Sequence, residues 1–489
     1  GRDTAFGAIA ATLSARPPET DFARGIRHFG HLLMRTMVLI VLLVIVANQW
    51  LGRPTLESLL FAVALAVGLT PELLPAIVAV TLSRGAREMA RRGVIVRRLE
   101  AIENLGSIRV LCTDKTGTLT EGVITLRDAV DPQGAPSDAV GRLAFLNAAL
   151  ETGIANPVDA ALLAAGGGRG WSAAGVRKVD EIPYDFTRKR LTVVVEAAAG
   201  GPHRIITKGA VDNVLAVCAL PEAARRQALD FYRQAGVEGL RVLAVATLDV
   251  APKERYGRED EQGMQLAGFL LFLDPPKPGV AQALRRLARL GVRTKVISGD
   301  NRHIVAHVAR AIGIDARAML TGEQLSAISD EALWSVAPRT SLFVEVDPQQ
   351  KERIVRALQR TGHAVGYLGD GINDAPALYA ADVGISVEGA VDVARESADI
   401  VLLERDLGVL CRGVEDGRAT FANTLKYIGI TTSANFGNMV SMAIATPLLP
   451  FLPLAAKQIL LNNFISDLPS MAISTDRVDR LQLRRPQRW

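Results

Sequence analysis

The sequence contains few cross-linking or soft metal-binding side chains. Its 489 residues include three cysteines and six histidines. Cys112, Cys218 and Cys411 are far apart and none stands in a CxxC pair, so the sequence indicates neither a disulfide framework nor a zinc site. We therefore expect reduced thiols in a cytosolic portion. Residues 1–27 also lack a signal-peptide pattern, because they are mixed and polar and the first apolar run begins only after them.

Positive charge is not concentrated in one long basic tail. The net charge of +5 and the pI of about 9.2 come from scattered arginine and lysine, including six arginines between positions 84 and 98. This pattern is typical of the cytoplasmic flank of a membrane segment and disfavours a nucleic-acid surface. A hydrophobic content of 49% and a mean hydropathy of +0.21 are high for a soluble domain, whereas 22% charged residues are too many for an all-membrane protein. Both environments are therefore expected.

Four apolar segments approach the roughly 20 residues that a helix needs to cross a bilayer. They cover residues 32–51, 56–82, 428–449 and 454–473. The sequence thus predicts two pairs of transmembrane helices, in regions 28–82 and 421–475. Because arginines follow the second segment, the long stretch that begins near residue 84 is predicted to lie in the cytoplasm.

Two of these apolar segments contain an acid, which is costly in a bilayer unless it lines a site. Glu72 lies between two prolines, and a proline inside a helix frees backbone carbonyls that can bind a cation. Asp467 lies in the fourth segment. Asn435 and Asn438, in the third, could instead serve helix–helix hydrogen bonding or a kink. Oxygen ligands without cysteine or histidine favour a hard cation over copper or zinc.

Three β-rich runs between the second and third apolar segments lead into aspartates, which are Asp114, Asp300 and Asp370. These runs alternate with helical patterns, such as residues 280–290 and 351–360, and this alternation predicts a parallel sheet flanked by helices. The carboxyl ends of parallel strands share one edge, so the three aspartates are predicted to converge. Aspartate is also common in strand-terminal turns, so a single case would mean little.

Two motifs suggest the chemistry of that edge. Residues 114–120 read DKTGTLT after an apolar strand, and residues 369–376 read GDGINDAP, a glycine-rich turn with two more acids. An aspartate that attacks phosphorus needs a divalent ion to gather the phosphate charge. We predict that magnesium binds Asp114, Asp370 and the backbone carbonyl of Thr116.

Two further side chains could contact a phosphoryl group. Lys351 follows an apolar strand and could neutralise phosphate oxygens as a point charge. A lone lysine at a helix start is nevertheless more often solvated. Ser298, in the sequence Ser-Gly-Asp, offers a hydroxyl to the transferred group.

The two motifs, with Asp-Pro-Pro-Lys at residues 274–277 between them, resemble those of P-type ATPases in order and content. The resemblance extends over essentially the whole chain and implies that Asp114 is phosphorylated from ATP. The residues that it implies are Asp114, Lys351, Ser298 and Asp300 for catalysis, and Asp114, Thr116, Asp370 and Asp374 for magnesium. The family's Thr-Gly-Asp is here Ser-Gly-Asp, which keeps the hydroxyl. Its Asp-Pro-Pro-Arg ends here in lysine, which keeps the charge but not the planar fork.

The stretch 121–270 interrupts the predicted sheet and is expected to form a separate α+β unit with a flexible segment at 164–170. It resembles the family's nucleotide-binding domain, and the resemblance implies that Tyr184 stacks on adenine. The other residues that it implies at the nucleotide are Lys189, Lys208, Arg241, Thr116 and Asp274. Without the resemblance, these would be read as an ordinary core aromatic residue and surface charges.

The predicted fold class is a multi-domain membrane protein. It combines an α-helical transmembrane bundle with a cytoplasmic α/β haloacid dehalogenase-like (Rossmann-like) phosphorylation domain that carries the nucleotide-binding domain. The predicted divisions are 1–27 (remnant of an actuator domain and linker), 28–82 (two transmembrane helices), 83–120 (stalk and start of the phosphorylation domain), 121–270 (nucleotide-binding domain), 271–420 (rest of the phosphorylation domain and stalk), 421–475 (two transmembrane helices) and 476–489 (cytoplasmic tail or loop). The family's Thr-Gly-Glu-Ser loop, its first two spans and its last four are missing from this sequence, so we expect phosphorylation without turnover.

Among P-type ATPases, the chain most resembles the bacterial magnesium-transporting subfamily, through TPELLP at 70–75, NFGN at 435–438 and PQRW at 486–489. The resemblance implies ATP-driven magnesium import across the bacterial plasma membrane by a multi-pass protein with cytoplasmic catalytic domains. ATP, Mg²⁺ and the lipid bilayer are the implied partners, and nucleic acid is not. The implied ligands of the transported ion are Glu72, Asn435, Asn463 and Asp467.

Several alternatives stay open at this point. Calcium-type pumps have Pro-Glu-Gly-Leu-Pro where this chain has Pro-Glu-Leu-Leu-Pro, so the leucine pair is the discriminating feature. A soluble phosphatase of the haloacid dehalogenase type would share the aspartate-centred sheet, but it would not need four apolar segments or an inserted domain. A transport-incompetent fragment or regulatory remnant would share everything except turnover.

Overall fold

The computed structural model describes residues 21–69, 74–122, 124–152, 156–185, 187–196, 201–404 and 406–486. The helices are α1 (Asp21–Trp50), α2 (Thr55–Leu69), α3 (Leu74–Arg91), α4 (Ala101–Ser107), α5 (Asp138–Leu150), α6 (Pro157–Arg169), α7 (Val211–Leu215), α8 (Glu222–Val237), α9 (Val280–Arg289), α10 (Arg302–Ala311), α11 (Gly322–Ala327), α12 (Asp330–Val336), α13 (Pro348–Arg360), α14 (Ala375–Ala380), α15 (Asp392–Ser397), α16 (Leu407–Ala445), α17 (Ala456–Ser470) and α18 (Arg480–Arg484). The strands are β1 (Val94–Val96), β2 (Val110–Thr113), β3 (Thr125–Val130), β4 (Arg177–Ile182), β5 (Arg190–Glu196), β6 (His203–Ala210), β7 (Arg241–Val250), β8 (Gln265–Leu273), β9 (Arg293–Ile297), β10 (Met319–Thr321), β11 (Leu342–Val344), β12 (Val365–Leu368), β13 (Val383–Val387) and β14 (Ile400–Leu402).

Eight strands form the first sheet, in the order β1-β14-β13-β12-β2-β9-β11-β10. Neighbouring strands are parallel except for β1, which is antiparallel to β14. In the central strand β2, Leu111 pairs with Gly366 of β12 and with Thr294 of β9. All four residues of β2 are buried, as expected for a parallel sheet covered on both faces. The predicted parallel sheet is confirmed, and the carboxyl ends of β12, β2 and β9 lie side by side.

The start of α13 is fixed by its capping residues. The side chain of Asp347 accepts a hydrogen bond from the Gln350 N–H at 2.7 Å, and the Gln350 side chain accepts from the Asp347 N–H at 3.0 Å. Pro348 occupies the first helical position, where no N–H is needed. These two reciprocal hydrogen bonds form a capping box, which fixes the first turn of α13 and with it Lys351, near the carboxyl edge of the sheet.

The second sheet is antiparallel, with six strands in the order β3-β8-β7-β6-β5-β4. Its strands lie in the sequence between β2 and β9 of the first sheet. Helices α5 and α6 pack on one face, and α7 and α8 on the other. The prediction of a flexible segment at 164–170 is wrong, because α6 continues to Arg169 and ends at Gly170 in the left-handed conformation. Asn156 and Pro157 at its start stabilise the helix against its glycines.

Among the described residues, one helical stretch, Arg24–Trp50, is long and apolar enough to cross a membrane, and Thr55–Gly68 is a shorter apolar helix. The described parts of the predicted second apolar segment lie in α2 and α3, and residues 70–73 lie outside the described residues. The fourth falls largely on α17, whose 15 residues are fewer than the roughly 20 of a full span. The predicted bundle of four transmembrane helices therefore stays a prediction.

The apolar helices nevertheless pack together. One buried cluster contains Val44, Phe61, Leu65, Met439 and Ile459, which come from α1, α2, α16 and α17. Gly68 allows this approach, because a Cβ atom there would lie 2.8 Å from the Met439 methyl carbon. On the outer side of α1, Leu39, Val46 and Trp50 are 66%, 67% and 90% exposed. The assembly thus has an apolar exterior as well as an apolar core.

Helix α16, with 39 residues, belongs to both parts of the molecule. Leu410, near its start, lies in the core of the first sheet, and Met439, near its end, lies in the apolar cluster. Between these two positions, α16 crosses α4, with Gly417 of α16 against Gly106 of α4. A Cβ atom on Gly106 would lie 2.7 Å from the Gly417 carbonyl carbon, so the two backbones are in direct contact at this crossing.

Candidate active site

Asp114 is the first residue after β2, at the carboxyl end of the central strand. Its N–H donates to the carbonyl oxygen of Leu368, the last residue of β12, at 3.0 Å. Asp370 follows β12 and Asp300 follows β9. The sheet therefore brings together aspartates that are far apart in the sequence, as predicted from the strand pattern.

Three acids gather at this edge. One carboxylate oxygen each from Asp114, Asp370 and Asp374 lies within 4.8 Å of the others. Asp374 is fully buried, and both of its oxygens are occupied. Oδ1 accepts from the Tyr367 hydroxyl at 2.7 Å and from Lys351 Nζ at 2.8 Å. Oδ2 accepts from the N–H groups of Asp370 and Gly371, at 3.3 and 3.1 Å.

Lys351 is a cation in direct contact with this cluster. Its side chain is buried, with Nζ 2.8 Å from Asp374 Oδ1 and 3.4 Å from Asp114 Oδ2. Burial opposes its ionisation, but the two carboxylates outweigh burial and raise the pKa of Lys351 above its ordinary value. The structure thus buries and pairs a lysine that sequence reasoning alone would more often leave in solvent.

Lys115 is a second buried cation, and sequence reasoning assigned it no role. Its Nζ lies 2.7 Å from Asp300 Oδ2 and 3.1 Å from Asp274 Oδ2. Burial acts against the ionised form of Asp300, but the Lys115 ammonium and the hydroxyl of Thr116, at 3.1 Å, lower the pKa of Asp300. The position of Lys115 in the DKTGTLT motif, directly after Asp114, is the sequence signal that could have identified it as a site residue.

Asp274 supports the loop after Asp114. Besides Lys115, it accepts from the Thr120 hydroxyl at 2.8 Å and from the Gly122 N–H at 3.2 Å. Lys277 donates to the carbonyl oxygens of Gly117 and Thr118. In the described structure, the DPPK segment therefore anchors the backbone of the DKTGTLT loop.

Ser298 and Asp300 form the turn after β9. Ser298 is buried, and its Oγ accepts a hydrogen bond from the Asp300 N–H at 3.1 Å. The N–H of Ser298 donates to the Phe343 carbonyl of β11 at 2.9 Å. The predicted hydroxyl is thus held in a fixed turn at the same edge of the sheet.

The surroundings of Asp114 oppose the ionisation of its carboxyl group. Burial and the neighbouring Asp374 raise its pKa to about 7, although Lys351 and the Lys115 N–H act in the opposite direction. Three carboxylates and the ammonium of Lys351 give the cluster an excess of negative charge. Such a cluster favours an added cation, because a cation lowers the cost of ionising all three acids.

The predicted nucleotide residues lie on the second sheet. Lys208 is buried in β6 and ion-paired with Asp159. Lys189, just before β5, has a positive φ of 49°, and Tyr184 is 50% exposed. Arg241 begins β7 and is exposed, and its charge contributes to the lowered pKa of Asp300. The structure thus brings Arg241 within electrostatic range of Asp300.

The predicted ion ligands are described only in part. Glu72 lies outside the described residues, and Asp467 lies in α17, where its side chain is not described. Asn463 is buried, and its Nδ2 donates to the Gly68 carbonyl at 3.0 Å. Asn435 is buried in α16. Among the described residues, neither Asn463 Oδ1 nor Asn435 Nδ2 has a hydrogen-bond partner.

A family model for the haloacid dehalogenase-like hydrolases matches residues 108–382, which is more than half of the chain. The chain belongs to the haloacid dehalogenase-like hydrolase family. The matched range begins just before β2 and contains the whole aspartate cluster together with the second sheet. The predicted haloacid dehalogenase-like fold is thereby confirmed.

Curated relatives extend over the whole chain. "Magnesium-transporting ATPase, P-type 1" of Salmonella typhimurium (strain LT2) is 44% identical over 508 residues, and that of Escherichia coli (strain K12) is 43% identical over 503 residues. Both alignments cover 100% of this chain and 56% of the relative. "Calcium-transporting ATPase 1" of Bacillus cereus is 32% identical over 514 residues. The resemblance to magnesium-transporting P-type ATPases is confirmed, and the chain spans about half the length of these relatives.

Gly117, in the loop after Asp114, lies against the Asp370 carboxylate, so a substitution there can test whether the position of Asp370 matters. Gly117 has a φ of 71°, and a Cβ atom there would collide with the Asp370 carboxylate. We expect Gly117→Ala to slow phosphorylation of Asp114 at least about tenfold, because it displaces Asp370 as well as straining the backbone. The measurement is the rate of phosphate incorporation from ATP.

The matched control is Gly313→Ala. Gly313 has a φ of 83° with no atom within 4 Å of the added Cβ position. Both variants should lose roughly 1–2 kcal/mol of stability from the left-handed backbone, but only Gly117→Ala should slow phosphorylation. Equal rates for the two variants would show that Asp370 tolerates displacement.

Proposed function

We propose that the chain is the catalytic and central membrane portion of an ATP-driven magnesium importer of the bacterial plasma membrane, working through a phosphoaspartate on Asp114. The observation that carries the proposal is the cluster of Asp114, Asp370 and Asp374 around buried Lys351, at the end of the central strand. A nucleophilic carboxylate beside a fixed cation and further acids suits phosphoryl transfer.

The reaction begins with attack of an Asp114 carboxylate oxygen on the γ-phosphorus of ATP. A phosphorus–oxygen bond forms on Asp114, the bond to the β–γ bridging oxygen breaks, and ADP leaves. In the complete transporter, water then cleaves the acyl phosphate, which restores the carboxylate and releases inorganic phosphate. Lys351 lies 3.4 Å from Asp114 Oδ2, where its ammonium can stabilise phosphoryl oxygens. The Ser298 hydroxyl, in the turn after β9, can donate a hydrogen bond to the same phosphoryl group.

The acid cluster fits magnesium, which prefers oxygen ligands. When bound, this ion neutralises phosphate charge. Asp114, Asp370 and the Thr116 carbonyl are the residues that would hold it. Asp374 suits this role less well than its sequence position suggests, because an ionised carboxylate offers about four acceptor positions and four donors already fill them. We therefore assign Asp374 to the orientation of Lys351.

The second sheet is proposed to hold ATP. In this arrangement Tyr184 stacks on adenine, Lys189 and Lys208 line the nucleotide pocket, and Arg241 faces the phosphates. The electrostatic influence of Arg241 on Asp300 supports a closed arrangement in which ATP bridges the two sheets. Asp274 and Thr116 act at the phosphate end through the DKTGTLT loop.

The transported ion is proposed to bind among the apolar helices, with Glu72, Asn435, Asn463 and Asp467 as ligands. Support comes from the buried amides of Asn435 and Asn463, which have atoms without partners in the described structure, since such groups are normally satisfied. The apolar exterior of α1 fits a lipid bilayer. The higher identity to magnesium-transporting than to calcium-transporting relatives, 44% against 32%, favours magnesium over calcium.

The direct test is incubation of the chain, purified in lipid, with ATP labelled in the γ-phosphate. We expect a label that survives acid, is released by hydroxylamine and maps by mass spectrometry to the peptide containing Asp114. Label on another residue, or on none, would remove the phosphoaspartate mechanism. Magnesium uptake by magnesium-starved cells that express the complete transporter tests the cargo, with calcium and manganese as the competing ions.

A further inference from the structure

The two sheets are joined by a contact between helices. Helix α10, which follows Asp300 in the first sheet, packs against the end of α8 in the second sheet. Gly236 of α8 lies against His303, and a Cβ atom on Gly236 would be 3.2 Å from the His303 Cβ atom. The absence of a side chain at Gly236 therefore brings these helices close together.

A second glycine in the same contact receives a histidine ring. Gly239 has a φ of 82°, and a Cβ atom there would collide with the His307 ring. His307 Nδ1 lies 3.1 Å from the carbonyl oxygen of Val237. A carbonyl oxygen only accepts, so Nδ1 must carry the proton and donate. His307 thus holds the turn after α8 through both ring packing and one hydrogen bond.

The turn held by His307 is short and well ordered by its own hydrogen bonds. The Gly239 N–H donates to the Gly236 carbonyl, and the Leu240 N–H donates to the Ala235 carbonyl, both at 3.0 Å. Leu240 is buried. Arg241, the next residue, begins β7. Displacement of this turn must therefore displace Arg241.

The other end of α10 reaches the aspartate cluster. Asn301 caps the helix, with its side chain accepting from the His303 N–H at 2.9 Å, and Asp300 immediately precedes Asn301. Asp300 is the partner of Lys115 at 2.7 Å. One short helix therefore connects the His307 contact on the second sheet to the loop that carries Asp114.

We propose that His307 is a positioning residue that docks the turn 237–240 on α10 and so places Arg241 at the phosphate side of the Asp114 site. This inference rests on the proposed phosphorylation of Asp114 from ATP. It predicts that His307 matters when the phosphoryl donor must bridge both sheets. A small donor such as acetyl phosphate contains no nucleotide to be held by the second sheet, and it should react without this contact.

The test compares phosphorylation rates of the full chain with ATP and with acetyl phosphate. His307→Ala should lower the rate with ATP about threefold to tenfold, the scale of one lost hydrogen bond, with the rate from acetyl phosphate unchanged and the Kd for ATP within about twofold. His307→Asn, whose amide N–H can replace the Nδ1 donor, should restore most of the ATP rate. His363→Ala is the control, because His363 contacts Arg293 and lies outside this interface.

A second variant keeps the inference testable if His307→Ala folds poorly. Gly239→Ala made alone should slow the ATP reaction and leave the acetyl phosphate reaction unchanged, because the added methyl group displaces the His307 ring. Where His307→Ala does fold, the double variant should lose less than the product of the two single effects, because the methyl group then meets no ring. An unchanged ATP rate in His307→Ala, or equal slowing with both donors, would overturn the inference. No labelling of the unchanged chain by either donor would instead refute the proposed function and, with it, this role.

Discussion

Asp114→Asn is expected to abolish phosphoenzyme formation, lowering the rate at least about 10³-fold, because asparagine keeps the size of the side chain and removes the nucleophile. The measurement is incorporation of labelled γ-phosphate under saturating ATP. ATP binding, measured by titration calorimetry, should persist because the proposed nucleotide residues are unchanged. Label of undiminished amount in this variant would exclude Asp114 as the nucleophile.

The same variant should be more stable than the unchanged chain at neutral and higher pH. The pKa of Asp114 rises from 3.8 to about 7 in the fold, chiefly through burial and then through Asp374. Between these values the unfolded chain has lost the proton and the folded chain keeps it, so folding stability falls as pH rises from about 4 to about 7. Asparagine has no such proton. The thermal midpoint of Asp114→Asn should therefore exceed that of the unchanged chain at pH 8 and approach it near pH 4. A lower midpoint at pH 8 would show that ionised Asp114 stabilises the fold.

Lys351→Met is expected to damage both stability and activity. Lys351 is 3% exposed and pairs with Asp374 at 2.8 Å, so its loss leaves buried acids without their cation. Removal of one member of a buried ion pair costs about 3–5 kcal/mol, and loss of a cation that stabilises the transition state lowers the rate on the order of 10²-fold. Urea unfolding and phosphorylation rates measure the two effects.

Arg356→Met is the matched control for this change. Arg356 lies on the same helix, is exposed and pairs with Glu352, so its removal should change stability by less than about 1 kcal/mol. Comparable destabilisation by both variants would show that Lys351 contributes through its length and packing. The charge assigned to it would then have no special role.

Sequence reasoning predicted the aspartate edge because its signals are local. Each of Asp114, Asp300 and Asp370 follows an apolar run, and the parallel sheet then brings them together without further information. It did not find the contacts of Lys115 with Asp274 and Asp300, because these residues are 159 and 185 positions away and only the folded loop brings them close. Nor could it show that Asp374 already accepts four hydrogen bonds from the described residues.

The errors and the untested predictions also have physical causes. A run of glycines suggested flexibility at 164–170, but the cap at Asn156 and the packing of Leu162 in the core hold α6 as a helix. Apolar composition suggested four spans, but composition alone does not give the bounds of a helix. In the described structure α17 has 15 residues, fewer than the roughly 20 of a full span.

The contact between Gly106 and Gly417 is the point at which α16 crosses α4, and α16 continues well beyond it. The close backbone contact there is accompanied by the buried Arg418 side chain, which donates to the Gly106 carbonyl oxygen at 2.9 Å. Ala445 lies 28 residues beyond Gly417 on α16, which corresponds to about 42 Å of helix at about 1.5 Å for each residue. A rotation of the first sheet that tilts α16 by about 10° about this crossing would move the Ala445 end through about 7 Å, more than one helical turn. A small tilt of α16 would therefore become a large displacement at the end of the helix that packs among the apolar helices.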